Sequence, residues 1–202
     1  DYKVTGVQTC ALPIYIYSRQ SKYQPMYAAL TQATEIDEKN ADAYRQLAKL
    51  LLVSGDLDKA QENLDKALAL DPKHPLAQLV KGMLESRRGK SDEGFATISA
   101  AYANAPGELE VVVAYAGMLV QRREFDRALG VLSDAAPKFP DADVLRLIRF
   151  QILAGQNKVA DAAGVLGDLI GARPDNLDYV KMLALYRTRT GDLKAEIGRA
   201  HV

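Results

Sequence analysis

Few residues in this chain have the type and spacing to run a reaction. His201 aside, His74 is the only histidine, and it sits in Asp71-Pro72-Lys73-His74-Pro75 with no cysteine and no evident serine partner. A general base needs a group to act on within hydrogen-bond reach, so His74 reads as a solvated residue of a connecting segment. The carboxylates Asp56, Asp58, Asp126 and Asp192 fall where helices are predicted to begin, and attraction to a helix N-terminus accounts for them without acid–base work. Gly164, Gly167 and Gly171 would cradle a phosphate only with a strand before them and a Lys-Ser/Thr pair after them. Neither is present, which leaves a close helix crossing or a locally weak helix. Arg87-Arg88 and Arg122-Arg123 close two predicted helices, where cations suit the C-terminal dipole. A basic edge facing acidic partners is the second reading of these pairs. The residues imply no catalysis, no cofactor and no metal site.

Composition points the same way. The 202 residues include 26 Lys+Arg against 26 Asp+Glu, one Cys, no Trp and 48% apolar residues, the profile of an ordinary globular chain. Disorder calls for low hydrophobicity with a charge excess, and nucleic-acid binding for a basic surplus. A membrane span needs about 20 consecutive apolar residues, whereas the longest uncharged apolar stretch, Val111 to Val120, has ten.

The two ends differ from the rest. Val4 to Ile14 resembles the conceptual translation of a sequencing adapter, and Glu196 to Val202 the same adapter read from the opposite strand. Ala11-Leu12-Pro13-Ile14 can be encoded GCT CTT CCG ATC; its reverse complement, read one base out of frame, encodes the Ile-Gly-Arg-Ala of residues 197–200. The competing reading is an N-terminal arm whose apolar patch, Cys10 to Tyr17, is a signal-peptide core or carries a lipidated cysteine. On the adapter reading residues 1–15 and 196–202 are non-native, and fold reasoning applies to 16–195. Setting aside Asp1, Lys3, Glu196 and Arg199 takes two charges from each sign, so the balance holds. The single cysteine disappears, and with it any disulfide or zinc cluster. The compartment stays open, cytoplasmic or exported.

Within 16–195 one period organises the chain. Pro72, Pro106, Pro140 and Pro174 stand 34 residues apart, and in step with them recur Ala60, Gly94, Ala128 and Ala162. Four residues on come Leu64, Ile98, Leu132 and Leu166, and three further Ala67, Ala101, Ala135 and Leu169. Small, large, small at i, i+4 and i+7 is one helix face that lets a neighbour approach closely. In residues 41–74, Tyr44, Leu47, Ala48 and Leu51 mark the packing face of a first helix. Ser54-Gly55-Asp56 ends it, and Asp56 is placed to cap a second helix from about Leu57 to Leu70, which Pro72 prevents from continuing. Turn residues recur at Gly89, Glu124 to Asp126, Gly155 to Asn157 and Gly191-Asp192. Residues 22–36 fit a second helix and Leu177 to Thr190 a first.

Tyr44, Leu47, Ala48, Leu51, Gly55, Ala60, Leu64, Ala67 and Pro72 together resemble the tetratricopeptide repeat (TPR) pattern, and the units from 75 and 109 follow it. The resemblance implies an all-α fold, a right-handed α-solenoid of stacked antiparallel helix pairs over 16–195. Its units are a half unit 22–40, full units 41–74, 75–108, 109–142 and 143–176, and a half unit 177–195. Two units depart from the pattern. Gln78, Lys81 and Glu85 stand at packing positions of the second unit, so its first helix is expected to be rotated. In the fourth, Gly155 comes two positions early, and Arg146 and Arg149 occupy packing sites unless the first helix is shifted.

By the same resemblance a partner protein or peptide lies on the concave wall of first helices. The groove residues carried over are Arg45, Lys49, Leu52, Leu79, Val80, Met83, Val113, Gly117 and Val120, an apolar floor with a basic entrance at Arg45 and Lys49. The alternative for the floor is that the rotated helix buries it as core. The asparagines with which some relatives grip a chaperone's terminal carboxylate are missing. The function expected is a non-catalytic protein–protein interaction scaffold, of a kind found in bacterial cell-envelope and exopolysaccharide secretion machinery. The alternative is the recognition arm of a larger enzyme such as a glycosyltransferase. Uncapped ends are expected to favour self-association.

Overall fold

The computed structural model describes residues 12–191, with side chains from Tyr23 onward. Ten helices follow one another, and among the described residues there is no strand. They are α1 (Leu12–Ile36), α2 (Ala41–Ser54), α3 (Leu57–Leu70), α4 (Pro75–Arg87), α5 (Ser91–Asn104), α6 (Leu109–Gln121), α7 (Phe125–Ala135), α8 (Asp143–Gly155), α9 (Val159–Ala172) and α10 (Leu177–Thr190). The first helices α2, α4, α6, α8 and α10 begin at intervals of 34 residues, and so do the second helices α3, α5, α7 and α9. Of the segments 1–15 and 196–202 set apart in the sequence, residues 1–11 and 196–202 lie outside the described residues, and so does Asp192. The second helix expected over 22–36 ends as expected but begins earlier, at Leu12. Pro13 is tolerated in the first turn, and between it and Lys22 nothing breaks a helix.

Backbone turns set the period. Positive φ occurs at Gly55, Gly89, Arg123, Asn157 and Gly191, again 34 residues apart. At Gly55 the amide bonds back to Leu51 O and Leu52 O, closing the carbonyls that a helix end leaves free. Asp56 caps α3 by accepting from the Lys59 amide at 3.2 Å. The turn expected over Gly155 to Asn157 is found, and its left-handed residue is Asn157, in phase with the others, although the glycine stands two positions early. Asparagine tolerates this conformation better than most residues, which lets Gly155 remain helical.

The chain comprises two compact units, divided within α5 between Thr97 and Ile98. In the first, Leu47, Ala48, Leu51 and Leu52 of α2 pack with Ala60 and Leu64 of α3 and with Ala77, Val80 and Leu84 of α4. Burying one such leucine stabilises by roughly 1.5–3 kcal/mol. Gly94 of α5 is where small size is indispensable: a Cβ there would stand 2.5 Å from Gly82 O. In the second unit, Leu153 of α8, Ala162, Leu166 and Leu169 of α9 and Tyr179 and Tyr186 of α10 form the core.

The rotation of α4 is found. Gln78 and Glu85 are half-exposed and Lys81 exposed, while Ala77, Leu79, Val80, Gly82 and Leu84 are buried. Polar groups buried without partners cost more than the apolar contacts would return, so the helix turns its neighbouring apolar face inward. In α8 the buried face is Leu145, Ile148, Ile152 and Leu153, which leaves Arg149 exposed and Arg146 half-exposed.

Candidate partner-binding wall

The first-helix positions singled out in the sequence separate into two groups. Leu52, Leu79 and Val80 are 1%, 1% and 0% exposed, so they are core and not the floor of an open groove. Leu52 and Val80 join the α2–α3–α4 cluster, and half-buried Met83 packs against it. The basic entrance also needs correcting. Arg45 is 7% exposed, and its guanidinium is held by Asp42, with Nη2 2.7 Å from Oδ1. Lys49 is half-buried. In α6, by contrast, Val113, Gly117 and Val120 are half-exposed. In α4 the rotation turns Leu79 and Val80 into the interior; in α2, which keeps the expected packing face, Arg45 and Leu52 are buried as well, whereas Val113 and Val120 at the same positions of α6 are half-exposed.

In the second unit that face continues onto two more first helices. The inward side of α6 is Val111, Val112, Tyr115, Ala116 and Leu119; spacings of three and four put Val113, Ala114, Gly117 and Val120 on other sides. Helix α8, which lies against α6, offers Val144, Gln151 and half-buried Leu147 and Ala154 on the corresponding positions. Leu185 of α10 is 71% exposed. The expected positions of this unit thus keep Val113, Val120, Val144, Leu147, Ala154 and Leu185 at least partly exposed, on helices whose opposite faces are locked in the core.

Asp143 fixes how α8 and α10 stand. Its carboxylate accepts from Tyr179 Oη at 2.8 Å and from Arg173 Nε at 2.7 Å, and pairs with Arg146 Nη1 at 3.2 Å. Burial pushes this carboxyl up, but the hydrogen bonds from Tyr179 and Arg173, with the charges of Arg173 and Arg146, outweigh it and hold it below the usual carboxylate range. Burial also raises the Tyr179 hydroxyl, as does its bond to Asp143. Phe150 meets the Tyr186 ring edge-on at 5.1 Å between centroids, a second brace between the two helices.

Residues that could do chemistry are placed differently. His74 is the N-cap of α4, with Nδ1 accepting from the Ala77 amide at 3.4 Å. Arg88 reaches back to Asp58 at 3.0 Å, and Arg122 pairs with Glu124 at 3.2 Å. Gly164, Gly167 and Gly171 lie exposed on α9, where a Cβ would meet nothing within 4 Å. That rules out a close crossing within the described chain and leaves a locally weak helix. Among the described residues no cluster of His, Cys, Asp or Glu could hold a metal ion, and no helix is long and apolar enough to cross a membrane.

Residues 45–108 match the model of the tetratricopeptide repeat family. That stretch carries tetratricopeptide repeats. TPR structures share the chain's fold. One is TTC0263, a thermophilic TPR protein of Thermus thermophilus, with TM-score 0.71, 16% identity, and 86% of this chain and 94% of that one covered. A second is YrrB, described as a TPR protein with an unusual peptide-binding site, with TM-score 0.55, 20% identity and coverages of 81% and 84%. A third is pilF of Pseudomonas aeruginosa, with TM-score 0.58, 18% identity and coverages of 89% and 92%. At these identities the likeness is one of fold. No curated protein matches the chain.

Proposed function

We propose that this TPR chain is a non-catalytic interaction scaffold that takes a segment of another protein on the wall formed by α6, α8 and α10. The observation that carries this reading is the unsatisfied apolar strip on braced first helices: half-exposed Val113, Val120 and Leu147 with Leu185, 71% exposed. Exposed apolar patches on otherwise packed elements mark interaction surfaces, and helix-in-groove capture uses anchors of this kind. The peptide-binding site of YrrB supports the reading by likeness of fold. The setting we favour is bacterial cell-envelope or exopolysaccharide secretion, where arrays of this kind occur.

The test is selection of displayed 14-residue peptides on the immobilised chain. Peptides recovered by the wild type should be lost on changing Val113 and Leu185 together to Asp, with helicity by circular dichroism unchanged. Leu79→Asp, which buries a charge, should unfold the first unit instead. Failure to recover any peptide, or retention by the double variant, would refute the wall.

A further inference from the structure

The wall has a polarity and a notch, and both bear on what it holds. Its helices carry acids in their first turns, Glu110, Asp143 and Asp178, but Asp143 is held by Arg173 and Arg146, and Asp178 pairs with Lys181 at 3.4 Å, so cations offset this edge. Past the other ends stand Arg122 and Arg123 after α6, and Arg187 and Arg189 in the last turn of α10. Arg123 and Arg189 are exposed. Thirteen residues of α6 at 1.5 Å rise separate the two edges by about 20 Å. The strip between them is interrupted once on α6, at Gly117, which lies between Val113 and Val120.

Gly117 is not there for the fold. A glycine inside a helix costs roughly 1 kcal/mol relative to alanine, and a Cβ at Gly117 would meet nothing within 4 Å. Gly130 and the α9 glycines are equally open, but they belong to second helices and have Arg127, Asp134, Asp161 or Asp168 as neighbours along their helices. Gly155 is open too, but it ends α8 beside Gln151 and Gln156; among the described residues of α6, α8 and α10, Gly117 is the glycine flanked on its face by Val113 and Val120, where it admits one bulky side chain or the close approach of another helix.

We infer that the partner segment is an amphipathic helix of about 13 residues lying antiparallel to α6, α8 and α10, its acidic first turn at the Arg123–Arg189 edge and one large apolar side chain in the notch at Gly117. The acidic start expected of a well-capped helix complements the exposed Arg123 and Arg189 in this direction, whereas its basic end would meet them in the other. This inference rests on the proposed function, and the experiment separates the two.

Peptides recovered from the displayed library are synthesised as found and with the charges of their two ends exchanged, and each is titrated by fluorescence anisotropy. The peptides should gain helicity on binding, and the exchanged form should bind about ten-fold more weakly at low salt, the gap closing as salt screens it. Changing Arg123 and Arg189 together to Glu should reverse that preference. Gly117→Leu should lower affinity about ten-fold without lowering the melting temperature, since the position is open and leucine is the better helix former. Recovery of no peptide overturns the proposed function and this inference together. Peptides that bind in an extended form, or that ignore both Gly117→Leu and the charge reversal, overturn this inference alone.

Discussion

The same substitution, glycine to alanine inside a helix, should have opposite effects at Gly94 and Gly117. At Gly94 the new methyl would stand 2.5 Å from Gly82 O and 3.0 Å from Ser86 N, both backbone atoms of α4. The crossing is already filled by Ser86, whose Oγ donates to Gly82 O at 2.9 Å. Ser86 Oγ stands nearest and can turn aside, but the two backbone atoms cannot, so α5 must move off α4 at the upper end of the overpacking range, about 3 kcal/mol. The gain in helix propensity returns up to about 1 kcal/mol, leaving a net loss of about 2 kcal/mol. At Gly117 only the favourable part survives, a gain of about 1 kcal/mol. Urea unfolding followed by circular dichroism reads both. At roughly 2–4 °C per kcal/mol for a chain of this size, thermal melts should move in opposite directions by a few degrees each. Shifts of the same sign would refute the claim that Gly94 is set by helix approach and Gly117 is free of it.

Two further predictions follow from backbone and charge. Arg123, at φ 60, holds a conformation that costs a non-glycine residue about 1 kcal/mol; Arg123→Gly should raise the urea midpoint, and Asn157→Gly should raise it less. An unchanged midpoint at Arg123 would mean that the strain is offset by contacts of its side chain. Asp143, whose carboxyl is held below its ordinary range, contributes stability above the unfolded-state value near 3.9, and this is lost as pH falls through the lower folded value. Asp143→Asn should therefore destabilise the second unit by about 1–2 kcal/mol at pH 7, with the gap to wild type narrowing below about pH 4. A gap independent of pH would assign the effect to packing.

The period was legible because its determinants are few and local. A left-handed residue, a helix start and a closing proline recur at fixed intervals, and α3 was expected and found over Leu57–Leu70. The small–large–small stripe was equally plain, and Ala60, Leu64 and Ala67 are buried as it requires. The turn at Asn157 was legible only as the loose region Gly155 to Asn157, and the one at Arg123 was expected just after it, at Glu124 to Asp126, since neither residue advertises positive φ as glycine does. The Asp143 node was not legible at all. It joins residues about 30 to 36 positions apart, and nothing in the identities of Asp143, Arg173 and Tyr179 says that they meet.

Register and face are therefore separable properties of these repeats, and that decides which apolar side chains reach the surface. The turns keep every first helix in phase along the chain, but each helix is free to rotate about its own axis until its apolar residues are covered. With Gln78, Lys81 and Glu85 at nominal packing positions, α4 covers Leu79 and Val80, and has no apolar strip to offer at those positions. In α6 the packing positions are filled by Val112, Tyr115, Ala116 and Leu119, all buried, so the helix has no reason to turn and Val113, Gly117 and Val120 stay open. Apolar packing positions alone do not open the face, however: in α2 they are filled by Leu47, Ala48 and Leu51, yet Arg45 and Leu52, at the positions of Val113 and Val120, are buried as well. Each helix's neighbours, and not its own pattern alone, decide which of these positions stay at the surface.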